Sequence, residues 1–142
     1  MKKTNRTLAL LSSIARYSII RRKDRPEAMK RIGKRIGSKI PVVFSLDRSL
    51  VGRSQDSWGG VICTKILPLF GISGATHGRS KHSQRVVVKI QKSWETRDQQ
   101  LYLPIIPWVI ERIFEGWSIP ISIEIQVDKS ILFAISERTL LD

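Results

Sequence analysis

A chain of 142 residues supports one hydrophobic core of ordinary size, and its single cysteine, Cys63, excludes an intrachain disulfide framework. The formal net charge of +13 is concentrated at one end: residues 1–40 carry thirteen Lys and Arg against Asp24 and Glu27, a local +11, whereas residues 41–142 carry twelve against ten acids, or +2. That is a nearly neutral body with a basic arm, which seeks a polyanion such as nucleic-acid phosphate or acidic lipid headgroups, and no apolar run has the length of a membrane-spanning helix.

Residues 5–20 carry helical periodicity, with Leu8, Leu11, Ala15 and Ile19 on one stripe flanked by Leu10, Ile14 and Tyr17. Arg21, Arg22 and Lys23 follow, where cations complement the negative end of a helix dipole. Such a helix can lie on a membrane surface, or its stripe can pack on the body or on a neighbouring subunit. The first twenty-three residues, Arg- and Ser-rich and free of acids, also fit an organelle-targeting segment.

Arg25-Pro26-Glu27 opens a second, short helix, with Pro and an acid in its first turn and a thin apolar stripe of Met29, Ile32 and Ile36. Gly33 and Gly37 weaken it, so it is expected to fray without a partner. The run Gly-Lys-Arg-Ile-Gly-Ser-Lys at 33–39 lacks both the spacing and the leading strand of a phosphate-binding loop. Residues 40–46 read as the first strand and 47–56 as a polar loop. Trp58, Val61, Ile62, Ile66 and Leu69 fall at helical spacing between Gly59-Gly60 and Pro68, which predicts a helix buried on one face. Residues 71–83 form a long loop that holds both histidines.

Residues 84–94 predict a strand with Val86, Val88 and Ile90 inward, and residues 101–103 a short strand ended by Pro104. A turn or short helix then packs Val109, Ile110, Ile113 and Phe114, and Gly116 stops it. The closing stretch alternates with a period of two. Ile119, Ile121, Ile123, Ile125 and Val127 share one face, and Ser122, Glu124 and Gln126 share the other. Asp128-Lys129 breaks the run before residues 130–136 resume it, the pattern of an antiparallel hairpin, with Pro120 near a strand start or on an edge. The expected class is α+β: a small, mostly antiparallel sheet, two or three packed helices and a basic helical N-terminal arm. The arm takes residues 1–39 and a single globular domain takes 40–142.

Little in the chain suggests catalysis, and no enzyme activity, metal or other cofactor is expected. His77 and His82, with Cys63 upstream, are too few and poorly spaced for zinc, and Cys63 beside Ile62 reads as a small hydrophobe. Asp47 after a strand could serve a metal-dependent nuclease, with Glu95, Asp98 and Asp142 as partners, but Asp-Arg-Ser is also an ordinary turn. The four Trp fall among Ile and Val at element boundaries, which favours core or interface over base stacking. The candidate nucleic-acid or membrane-binding residues are therefore the cations of the arm: Lys2, Lys3, Arg6, Arg16, Arg21, Arg22, Lys23, Arg25, Lys30, Arg31, Lys34, Arg35 and Lys39.

Several parts in order carry a resemblance. They are the basic arm, a strand, Ser57-Trp58-Gly59-Gly60, Lys65-Ile66-Leu67-Pro68-Leu69-Phe70-Gly71, a Leu-x-Leu-Pro turn at 101–104 and a closing aliphatic hairpin. Together they resemble the small matrix proteins of nonsegmented negative-strand RNA viruses, of the rhabdovirus kind. The resemblance implies a non-enzymatic structural protein of the virion or of the host cytoplasm at the inner face of the membrane. It would bind anionic membrane and RNA or ribonucleoprotein through the arm and self-associate as a homo-oligomer. The alternatives are a dedicated RNA-binding or ribosomal protein of a cytoplasmic or mitochondrial ribonucleoprotein, and a nuclease centred on Asp47.

Overall fold

The structure, a computed structural model, describes residues 25–52, 54–80, 85–91, 103–127 and 130–138. Helix α1 spans Arg25–Val43. Ala28, Ile32, Ile36 and Ile40 recur every fourth residue and are all buried in the common core. Residues 40–46 are thus not a strand. Ile40 extends the stripe begun at Ala28, and burying it outweighs the β preference of the Ile-Pro-Val-Val sequence. The helix closes after Val43, with Phe44 and Leu46 N–H groups donating to the carbonyls of Ile40 and Pro41 and Ser45 in a left-handed conformation (φ 55°). It crosses position 39/40, the expected end of the arm, without a break.

A six-residue helix α2, Asp56–Val61, runs on through a wider turn at Ile62–Ile66 and a tighter one at Leu67–Phe70. Trp58, Val61, Ile62, Ile66, Leu67 and Phe70 are buried, so the expected one-sided helical segment is present. Gly71 (φ 78°) stops it: its N–H donates to the Pro68 carbonyl, and Ile72 N–H donates back to Leu67. Helix α3, Ile106–Gly116, buries Val109, Ile110, Ile113 and Phe114 as the spacing predicts. Leu103 lies in the turn that feeds α3, not in a strand, while residues 101–102 fall outside the described set.

Four strands form an antiparallel sheet in the order β1-β2-β4-β3, with β1 Thr76–Arg79, β2 Val86–Gln91, β3 Ile121–Val127 and β4 Ser130–Glu137. Within the segment expected to be loop, β1 is a genuine strand. It is exposed along its length and lacks apolar alternation, so its pairing with β2 (Thr76 opposite Lys89, Arg79 opposite Val86) left no hydrophobic signature. Val86, Val88 and Ile90 of β2 and Ile131, Phe133 and Ile135 of β4 turn toward the helices and are buried. On β3, Ile121 is buried at the start, but Ile125 and Val127 are 43% and 57% exposed although they lie on the same face. The helical layer covers the middle of the sheet and leaves the end of β3 open.

Helices α1 and α3 meet along Gly33 and Gly37. A Cβ at Gly33 would stand 2.5 Å from Trp108 Cβ, and one at Gly37 would stand 2.7 Å from the Val109 carbonyl oxygen and 2.8 Å from Arg112 Cβ. The two residues that weaken α1 as an isolated helix are therefore the points where α3 docks. Loss of helix propensity, about 1 kcal/mol per glycine, is the cost of bringing two backbones this close.

Candidate functional site

Only part of the basic arm lies among the described residues. Lys2, Lys3, Arg6, Arg16, Arg21, Arg22 and Lys23 fall outside them, as does the side chain of Arg25, the first residue of α1. The other five sit on α1 outside its buried stripe. Arg31, Arg35 and Lys39 are exposed at four-residue spacing, Lys34 is half-buried, and the Lys30 ammonium lies 5.2 Å from the centroid of the Trp108 ring. None of the five is ion-paired with a carboxylate among the described residues. Charge here faces outward along one helix that is itself part of the core, not along a detached tail. The apolar row at 32, 36 and 40 was the sequence signal for that.

Asp47 does not stand at the end of a strand. It caps the turn Arg48–Leu50, accepting from the Ser49 N–H at 2.9 Å and from the Ser49 hydroxyl. Those hydrogen bonds hold its carboxyl below the usual carboxylate range. The acids expected to join it, Glu95, Asp98 and Asp142, lie outside the described residues. His77 points from β1 onto α2, where its ring occupies the space beside Gly59. His82 is also outside the described residues. Cys63 is a half-buried thiol packed against the core, and burial pushes its pKa up. Trp58 meets Phe114 edge-on at 5.6 Å, and Phe114 meets Trp117 at 5.4 Å, so these aromatics build the core as expected.

The face of the sheet turned away from the helices is shallowly concave, about 510 Å³, with Val87, Leu132 and Ala134 on its floor. Arg85, the residue before β2, pairs with Glu124 on β3, Nη1 to Oε2 2.8 Å. Around the helix side, Arg79 Nε lies 2.6 Å from Asp56 Oδ1, and Gln55 Nε2 donates to Glu137 Oε2 at 3.3 Å, tying the start of α2 to β1 and β4. These pairs are largely solvent-exposed, and each fixes geometry more than it adds stability. Among the described residues no helix is long and apolar enough to cross a membrane.

No family model and no curated protein matches the chain. Its fold is found in a solved structure: trafficking protein particle complex subunit 3 from Naegleria fowleri, covalently bound to palmitic acid. The TM-score is 0.61 at 14% sequence identity, and the match covers 96% of this chain and 95% of that one. The architecture is shared.

That match overturns the matrix-protein reading and, with it, the virion assignment. The RNA-binding and nuclease alternatives gain no support from it. The physical reason lies in the elements that carried the resemblance. The strand after the basic arm is the C-terminal part of α1, and the Leu-x-Leu-Pro turn delivers α3. Among the described residues the element order therefore opens with a core helix instead of a strand, and the likeness was one of composition.

Proposed function

We propose that this chain is a non-catalytic subunit of a multisubunit vesicle-trafficking particle, acting through the surfaces it offers to other chains. The observation that carries the reading is the end-to-end correspondence with the trafficking subunit, 96% of one chain against 95% of the other. Surfaces suited to assembly accompany it: exposed Val42 and Val43 at the end of α1, exposed Ile125 and Val127 on β3, and a cationic row on α1. The neighbour is covalently bound to palmitic acid; the one thiol of this chain, Cys63, is half-buried and packed against the core.

The test is native purification of the full-length chain, tagged at its C-terminus, from the cells that encode it, followed by native mass determination. Recovery in a stoichiometric complex with other trafficking-particle subunits supports the reading. Recovery of the chain without such subunits, under conditions that preserve other particles, overturns it.

A further inference from the structure

The geometry points to β3 as a self-pairing edge: two copies join antiparallel through this strand across a two-fold axis at Ile125, making one eight-stranded sheet. Hydrogen-bond phase is the first ground. Arg138 N–H donates to the Pro120 carbonyl, so in the β3–β4 register Pro120, Ser122, Glu124 and Gln126 spend their main-chain groups on β4. Those of Ile121, Ile123, Ile125 and Val127 turn outward, and among the described residues no strand lies beyond them. The Arg138 guanidinium takes the Ile121 carbonyl at 3.1 Å. The open donors and acceptors are therefore concentrated at 123, 125 and 127.

Exposure is the second ground. Ile125 and Val127, on the core-facing side of β3, are 43% and 57% exposed, so the unpaired stretch of edge is also the uncovered stretch of apolar face. The guards of this edge, Pro120 and the Arg138 guanidinium, stand at its start, and beyond Ile121 the one charged side chain in residues 121–127 is Glu124.

Complementarity points to a second copy, and among axes at Ile123, Glu124 and Ile125 it points to the last. With Ile125 opposite Ile125 of the partner subunit, Ile123 meets Val127 of the partner subunit and Glu124 meets Gln126 of the partner subunit. Apolar side chains then cover each other, and no like charges stand opposed. Centring on Glu124 would place two carboxylates face to face, and centring on Ile123 would call on the occupied Ile121 carbonyl. The inference needs nothing from the trafficking reading: a dimer can form whether or not other subunits bind.

Sedimentation of the full-length protein from about 1 to about 200 µM tests it, because a dimer grows with concentration. The wild type should pass from monomer to dimer, and Ile125→Lys, which sets two ammonium groups at the axis, should weaken association by more than about a hundredfold. Ser122→Lys, on the opposite face, should leave it unchanged. Register is read separately in a Cys63→Ser background. Ile125→Cys should oxidise to a disulfide-linked dimer, because the paired Cα atoms stand about 5.5 Å apart. Ile123→Cys alone should not, since its opposite number is Val127. A wild type that stays monomeric throughout, association indifferent to Ile125→Lys, or cross-linking by Ile123→Cys in place of Ile125→Cys would each overturn the proposal.

Discussion

The seam between α1 and α3 and the outer edge of β3 are both lined by Ile and Val, yet they are finished differently. Along the seam, Gly33 and Gly37 let the helices close until no side chain fits between them, and Ile32, Ile36, Val109 and Ile113 are sealed from water. Along β3 the same residue types, at the two-residue period of a strand, run out from under the helices, and about half of each of Ile125 and Val127 is left in solvent. Burial is therefore decided by whether a neighbouring layer reaches a residue, and its own hydrophobicity does not settle the matter. The seam is where the fold is held, and the edge is where the molecule has surface left to give.

Substitutions at the two regions should separate stability from association. Phe114→Ala removes a fully buried ring that contacts Trp58 and Trp117, and a loss of about 3–5 kcal/mol in urea unfolding is expected. Gly37→Ala should cost roughly 1–3 kcal/mol by overpacking, even though Ala favours an isolated helix by about 1 kcal/mol. A stabilised Gly37→Ala would mean that the helices do not approach so closely. Ile125→Lys should change the unfolding midpoint of the monomer by no more than about 0.5 kcal/mol, because the position is already partly solvated.

The smallest effect belongs to Asp47. Its folded-state pKa is depressed, so its contribution is present above the ordinary carboxylate pKa and is lost as pH falls through the folded value. Asp47→Asn should flatten the acid limb of a stability-versus-pH curve without altering stability changes above neutrality.

Much of this was legible in the sequence. Alternation located β3, apolar β-rich runs located β4 and β2, and helical spacing located α3 and the α2 segment, because the hydrophobic pattern records which face of an element is covered. Two failures share a cause. Residues 40–43 have the composition of a strand, and burial of Ile40 in the common core, continuing the stripe of Ala28, Ile32 and Ile36, keeps them helical. In β1, Thr76–Arg79 buries nothing and so leaves no pattern to read. The spacing Gly33-x-x-x-Gly37 carries two meanings, a weak isolated helix and a close helix approach, and the fold uses the second. As for the candidate site, the outward cations on α1 were legible as charge but not as part of a core helix. The open end of β3 was not legible at all: a period of two names the face a residue occupies, not whether anything lies above it.

Amide hydrogen exchange across β3 at two protein concentrations tests the contrast between sealed seam and open edge most directly. Ser122, Glu124 and Gln126, whose N–H groups serve β4, should be protected in both samples, as should Ile32 and Ile36 of α1. The N–H groups of Ile123, Ile125 and Val127 should exchange fast in the dilute sample and slow markedly in the concentrated one. Uniform protection along the strand in the dilute sample, or fast exchange at 123, 125 and 127 that concentration does not change, would contradict the account.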